Sequence, residues 1–231
     1  MNKRKRSGGK ARLRRGEAAE APARRRVNAQ RELRIIGGRW RGRRWQIASG
    51  AQTRPTPDRV RETLFNWLMH SIVGAHCIDA FGGSGALGLE ALSRGAASVR
   101  FLETDTLAAA GIRACLRDWQ GSDGVLLECD ALTWLETAKI APADIVFLDP
   151  PFAANLLPRA LAALDRRGWL SAVGQVYVEH SFALPMATLP QGWTVHRSGR
   201  AGAVSYHLLS GAAIRSPVTT SSRAAPGEHS E

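Results

Sequence analysis

The 231-residue chain has no apolar run approaching the roughly 18 residues of a membrane-spanning helix, which argues against a membrane-embedded role. Its basic start also lacks the hydrophobic core of a secretory signal. Cysteine is scarce, and Cys77, Cys115 and Cys129 are scattered with no C-x-x-C pair, so no disulfide framework is indicated. Cys77 and Cys129 lie in or beside apolar strand-like runs and read as buried structural thiols. His180, His196 and His207 have no spaced partner set, so structural roles are expected of them and no metal site. A bacterial cytoplasmic protein fits with the fewest assumptions; an Arg-rich organelle-targeting start is the other reading.

Acidic residues are sparse at one end only. Residues 1–45 hold 17 Lys/Arg against 3 Asp/Glu, whereas the remaining 186 hold 15 against 17. The net charge of +12 therefore belongs to the start of the chain. Basicity so concentrated points to a polyanion, most simply nucleic acid, with a solvated tail as the alternative. Residues 1–31 have almost nothing to bury and are expected to be a disordered leader. Residues 32–50 read as a basic β-hairpin, residues 51–210 as one catalytic domain, and the Ser/Thr/Ala-rich residues 211–231 as a disordered tail.

The run Ile145-Val146-Phe147-Leu148 is β-branched and aromatic, as in a buried strand, and it ends in Asp149-Pro150-Pro151-Phe152. Open α/β sheets bind ligands at the carboxyl ends of their strands. Two consecutive prolines make a stiff corner that presents a carboxylate, two carbonyl acceptors and an aromatic ring. Such a corner suits an exocyclic amine on a planar base, the amine donating to oxygen and the ring stacking on the base. The plainer alternative is a strand-ending turn with a packed Phe.

A second element precedes it. His76-Cys77-Ile78-Asp79-Ala80-Phe81 reads as a strand, residues 82–88 as a glycine turn, and Leu89-Glu90-Ala91-Leu92 as a helix start. Strand, glycine turn and helix bind nucleotide-like ligands across the helix N-terminus. Glu103 ends the next strand, Val99-Arg100-Phe101-Leu102, about 20 residues on, where a carboxylate binds both ribose hydroxyls. Asp105 is the weaker candidate for that role. Gly83, Gly85 and Gly88 match the dinucleotide fingerprint, so NAD has to be weighed. Acidic Asp79 would repel a pyrophosphate, and the Asp149 corner has no task in hydride transfer. S-adenosylmethionine fits better, its amino group facing Asp79 and its ribose Glu103. Two readings of Asp130, after the strand Val125-Leu126-Leu127-Glu128-Cys129, stand side by side: acceptor for the adenine amine, or cap of the next helix.

Upstream, Leu33-Arg34-Ile35-Ile36 and Arg44-Trp45-Gln46-Ile47 flank a Gly-rich, Arg-rich tip and form the expected hairpin. Its arginines suit phosphates. Trp45 is expected to cover the apolar face, and Trp40, in the turn, to stack on a base. Thr56 is the expected cap of a helix starting at Pro57, with Val60, Leu64, Trp67 and Leu68 as its buried stripe. Arg59 and Arg61 fall off that stripe, facing substrate or water. Later come a helix over residues 156–170, a strand Gln175-Val176-Tyr177-Val178-Glu179, and an antiparallel pair over residues 194–196 and 203–209.

Several of these blocks resemble one family, in its order, from about residue 33 to residue 209. Ile78-Asp79-Ala80-Phe81-Gly82-Gly83-Ser84-Gly85-Ala86-Leu87-Gly88-Leu89-Glu90-Ala91-Leu92-Ser93-Arg94-Gly95-Ala96 resembles the cofactor motif of the RsmD-type 16S ribosomal RNA guanine-N2 methyltransferases. The hairpin over residues 34–43, the block over residues 54–68 and Asp149-Pro150-Pro151-Phe152 are similar to that family's other elements. Ala80 and Gly82 depart from it, standing where Leu and Ala are expected, and the leader and tail lie outside the match. The resemblance implies a class I methyltransferase with a Rossmann-like α/β sheet of seven strands, mostly parallel, with a C-terminal antiparallel hairpin. It also implies methyl transfer to N2 of one guanine near the decoding region of 16S rRNA, late in assembly of the small ribosomal subunit.

Together the two lines set the expected sites. Asp149, Pro150 and Phe152 are catalytic. Asp79, Phe81, Gly82, Gly83, Ser84, Gly85, Glu103, Asp130 and Ala131 hold S-adenosylmethionine. Arg34, Arg39, Trp40, Arg41, Arg43, Arg44, Arg54 and Arg59 face RNA, and a monomer is expected. Adenine-N6 methylation and a non-catalytic RNA-binding assembly factor remain the alternatives. Asp in place of Asn at 149 leans against the first, and an intact corner and glycine loop against the second.

Overall fold

The computed structural model describes residues 32–51, 53, 55–151, 156–181 and 184–211. The expectations for the leader, for residues 212–231 of the tail, and for Arg54 and Phe152 lie outside the described residues.

Alternation and glycine punctuation set the architecture. A two-stranded hairpin, β1 (Glu32–Arg34) and β2 (Arg44–Gln46), comes first, followed by helix α1 (Asp58–Trp67). Strands β3 (His76–Asp79), β4 (Ser98–Glu103), β5 (Gly124–Glu128), β6 (Ala143–Leu148) and β7 (Leu170–Ser181) then alternate with helices. The helices are α2 (Ala86–Ser93), α3 (Thr106–Asp118), α4 (Ala131–Thr137) and α5 (Leu157–Arg167). Strands β8 (Thr194–Ala201) and β9 (Val204–Ser210) close the chain as a hairpin. The sheet order is β5-β4-β3-β6-β7-β9-β8, parallel through β7, with β9 antiparallel to both its neighbours. This is the mostly parallel seven-stranded α/β sheet expected from the sequence.

Strand residues alternate between two cores, as the pleat requires. Cys77, Val99, Phe101, Ile145, Phe147 and Tyr177 pack towards α1, α2, α3 and the basic hairpin. Ile78, Leu102, Val146, Leu148, Val176 and Val178 pack on the other face, with residues of α4 and α5. Strand order reverses between β3 and β6, the switch point where open α/β sheets form a ligand crevice at their carboxyl ends.

Two details depart from the sequence reading. Pro57, not Thr56, caps α1, and no side chain bonds the helix end; the Thr56 hydroxyl instead donates to Glu179 Oε1 at 2.8 Å. Arg61 faces neither substrate nor water but is fully buried, because α1 is wedged between the sheet and the hairpin. Its guanidinium donates to the Arg34 carbonyl at 2.9 Å and to Asp58 at 2.6 Å, with Glu90 at 3.4 Å.

Gly88 shows why the fingerprint glycines are needed without invoking a pyrophosphate. A Cβ there would sit 2.1 Å from the Phe101 ring, which is fully buried on β4. Gly88→Ala is therefore expected to overpack the α2–β4 contact and cost roughly 1–3 kcal/mol, read as a lower urea midpoint. An unchanged midpoint would contradict this packing.

Candidate active site

Five successive parallel strands deliver a carboxylate to one rim. Asp79 ends β3, Glu103 ends β4, Asp130 follows β5, Asp149 follows β6, and Glu179 lies near the end of β7. All five line one cavity of about 690 Å³, within the roughly 300–1,000 Å³ of small-molecule sites. Phe81, Gly82, Gly83, Ser84, Ala131 and Pro150 line it too. Gly85 stands just behind, capping α2 with a left-handed backbone at φ 76°.

Each carboxylate has its own environment. Asp79 is buried beneath the start of α2 and accepts from the Gly88 N–H at 3.0 Å. Burial pushes its pKa up to about 7 from 3.8; the Gly88 bond opposes this and the charge of Glu103 adds to it. Glu103 accepts from the Gly83 and Asp105 amides, so the glycine loop and the rim carboxylate fix one another. Asp105 caps α3, accepting from the amides of Leu107 and Ala108. Asp130 caps α4, and both of its bonds from Thr133 fall on Oδ1. These bonds hold its pKa low. Asp130 also lines the cavity, so the capping reading does not displace the ligand reading. Asp149 is half-buried beside the buried Pro150, with Thr56 Oγ1 3.5 Å from its Oδ2.

Thr56 and Glu179 also line the cavity and were not among the expected site residues. Glu179 had a legible signal, a carboxylate at a strand tip like the other four. Thr56 had none, since its partner is 123 residues away. Cys129 is half-buried and lines the cavity rather than lying within the core. Burial first, and then neighbouring carboxylates, push all three thiols up, Cys115 to about 12, so none supplies a thiolate near neutrality. Among the described residues no three His, Cys, Asp or Glu side chains gather to hold a metal ion. No described helix is long and apolar enough to cross a membrane.

The hairpin reaches the same site from outside. Trp45 Nε1 donates to the Ser84 carbonyl in the glycine loop at 2.9 Å, and the chain after β2 runs on to Gly50 and Thr53 at the cavity wall. Arg39, Arg41, Arg43, Arg44 and Arg59 are exposed. Arg34 and Arg44 make exposed pairs with Asp58 and Glu32, of the kind that contribute little to stability. Trp40 needs correction. It is only 4% exposed, lies edge-on to Trp119 at 5.5 Å, and is covered by the Arg39 guanidinium at 4.6 Å. Its backbone amide is tied to Ser93 Oγ, so the ring packs the hairpin onto α2 and α3 and presents no face to a base.

Comparison with known proteins matches this architecture. The family model described as conserved hypothetical protein 95 matches residues 33–210. The chain is 43% identical to ribosomal RNA small subunit methyltransferase D of Escherichia coli over 177 residues, 77% of this chain and 89% of that protein. It is 42% identical to the protein of the same name from Haemophilus influenzae, covering 78% and 95%. The solved structure of the Escherichia coli protein yhhF superposes with a TM-score of 0.73 at 43% identity, covering 79% of this chain and 99% of that one. The chain belongs to the ribosomal RNA small subunit methyltransferase D family, whose family model bears the description conserved hypothetical protein 95.

Proposed function

We propose that this protein transfers a methyl group from S-adenosylmethionine to the exocyclic N2 of a guanine in 16S rRNA of the small ribosomal subunit. The observation that carries the reading is a single cavity joining a glycine-loop crevice to the Asp149-Pro150 corner. The names of its relatives support the RNA substrate.

The donor set fits the cofactor. Buried Asp79 on the cavity lining suits a cationic amino group, Glu103 suits ribose hydroxyls, and Asp130 suits the adenine amine. When bound, S-adenosylmethionine supplies an electrophilic methyl that leaves its sulfur as the nitrogen lone pair takes the carbon. The chain's part is positioning and proton acceptance. Asp149 and the Pro150 carbonyl accept from the guanine amine, drawing its lone pair out of ring conjugation, and Asp149 takes up the proton released. Aligning the amine on the methyl contributes on the order of 7–11 kcal/mol. Phe152 is the proposed stacking partner for the flipped base, whose extraction costs a few kcal/mol. Arg34, Arg39, Arg41, Arg43, Arg44, Arg54 and Arg59 are the proposed phosphate contacts.

Asp79 gives cofactor binding a pH signature. Folding raises this carboxyl from 3.8 to about 7, so the ligand-free fold takes up a proton. The stability this confers is complete below the unfolded value and is lost as pH rises through about 7. A cationic ligand needs the ionised form. Cofactor affinity is therefore expected to fall about tenfold per pH unit below about 7, a slope that Asp79→Asn abolishes in calorimetric titration.

The functional test is nucleoside analysis of small subunits lacking the modification, after incubation with the protein and labelled S-adenosylmethionine. N2-methylguanosine is the expected product. N6-methyladenosine would replace guanine by adenine in this reading. Cofactor binding without transfer would favour a non-catalytic RNA-binding role.

A further inference from the structure

Resting on the S-adenosylmethionine reading of the cavity, we infer that Trp45 is a positioning residue for the cofactor. From the RNA-facing hairpin, its indole N–H fixes the glycine loop in its ligand-binding shape. The hairpin is then part of the cofactor site as well as an RNA-facing extension.

The loop needs holding. Gly82, Gly83 and Gly85 are three glycines in four residues, and such backbone has wide conformational freedom unless it is bonded. Gly83 and Gly85 take left-handed conformations, at φ 52° and 76°. One side of the loop is tied to β4, the Gly82 amide donating to the Leu102 carbonyl at 2.9 Å and the Gly83 amide to Glu103. The Gly85 amide closes a turn onto the Gly82 carbonyl at 2.7 Å. The other side is tied to the hairpin, where Trp45 Nε1 donates to the Ser84 carbonyl at 2.9 Å. Thr53, downstream of the hairpin, adds a second contact, since a Cβ on Gly83 would lie 3.5 Å from its Cγ2.

Trp45 is itself firmly placed. In the exposed, buried, exposed pattern of β2 it points inward, between outward-facing Arg44 and Gln46. It is 8% exposed, pairs with Leu33 on β1 and lies edge-on to Trp119 at 5.7 Å. The same hairpin also grips the later turns of α2. The Arg39 and Trp40 amides donate to the Ser93 carbonyl and hydroxyl at 2.7 and 2.9 Å, and the Ile36 and Gly37 amides to Glu90. One hairpin thus braces α2 at both ends, and the start of α2, with the loop before it, lines the cavity. The plainer alternative is that the Ser84 bond does no more than satisfy a buried indole N–H.

The test separates a lost N–H from lost packing. Benzothienylalanine at position 45 keeps the shape of the indole but carries sulfur in place of the N–H. Trp45→Phe removes the N–H together with part of the ring. Trp40→Phe is the control, because the Trp40 ring packs on the same Trp119 and makes no hydrogen bond to residues 82–85. Calorimetric titration with S-adenosylmethionine, without RNA and well below every melting transition, reads the Kd. Both changes at position 45 are expected to weaken binding about two- to tenfold, the worth of one hydrogen bond, whereas Trp40→Phe keeps the wild-type Kd whatever its Tm.

A wild-type Kd in the benzothienylalanine protein would overturn the inference. So would an equal loss in Trp40→Phe, which would reduce the effect to hairpin packing. Either result leaves guanine-N2 transfer standing, whereas a wild-type protein that binds no S-adenosylmethionine would overturn the functional reading and this inference together.

Discussion

Asp149→Ala is expected to lower kcat for methyl transfer roughly 10²–10⁴-fold while RNA binding persists, the loss typical of removing a positioned general base. Two roles end together in that variant. The amine loses the acceptor that draws out its lone pair, and the departing proton loses its first destination. Pro150 keeps its carbonyl in place because the proline corner is set by the backbone, so part of the orienting effect survives. Asp149→Asn separates the roles: its amide oxygen still accepts, but it takes no proton, and its NH2 sets a second donor against the amine. Single-turnover rates on small subunits, with RNA affinity measured in parallel, check both variants. A Asp149→Ala rate within a factor of about three of wild type, well short of the loss expected from a general base, would remove Asp149 from the chemistry.

Glu90→Ala is the second large effect, and it acts on stability. Glu90 is wholly buried in α2, and its carboxylate accepts from the Ile36 and Gly37 amides at 2.8 Å each and from Arg94 at 2.8 Å, with Arg61 at 3.4 Å. Four donors from the hairpin, α1 and the end of α2 therefore converge on one carboxylate. Removing it orphans the two hairpin amides and takes one of two carboxylates from the fully buried Arg61 guanidinium, which is left with Asp58 and the Arg34 carbonyl. Breaking a buried pair from one side costs about 3–5 kcal/mol. For a chain of this size that is a fall in Tm of roughly 6–20 °C. Replacing both members, as in Arg61→Met with Glu90→Leu, is expected to recover part of the loss. The two hairpin amides stay orphaned, so recovery is incomplete. Calorimetric melting of the single and double variants tests this; a Glu90→Ala melt matching wild type would show that the hairpin is held by its tryptophans alone.

How far the sequence revealed this molecule depends on the range of the interaction. The strands ending in Asp79, Glu103 and Asp149 were legible because alternation, β-branching and a following glycine or proline are local signals. Their convergence on one cavity follows from the handedness and order of a parallel sheet, which the family resemblance implied. Trp40 was misread because a tryptophan in a glycine-rich turn looks exposed until α2 and α3 arrive to cover it. Gly38 makes that approach possible. Its φ is +77°, and a Cβ there would lie 1.9 Å from the Ser93 carbonyl oxygen, so only glycine lets the hairpin lie so close to α2. Arg61 looked like an outward-facing charge on its own helix, and only the hairpin, whose Arg34 carbonyl lies 27 residues upstream, encloses it. Thr56 looked like a helix cap because Thr-Pro-Asp is a common helix start, yet a buried carboxylate on β7 is the stronger acceptor for its proton.

The most direct test of the account is a crystal structure of the protein with S-adenosylmethionine bound. The account predicts its amino group on Asp79, its ribose hydroxyls on Glu103 and its sulfur turned towards Asp149. A ligand absent from this cavity, or one whose sulfur faces away from Asp149, would contradict it.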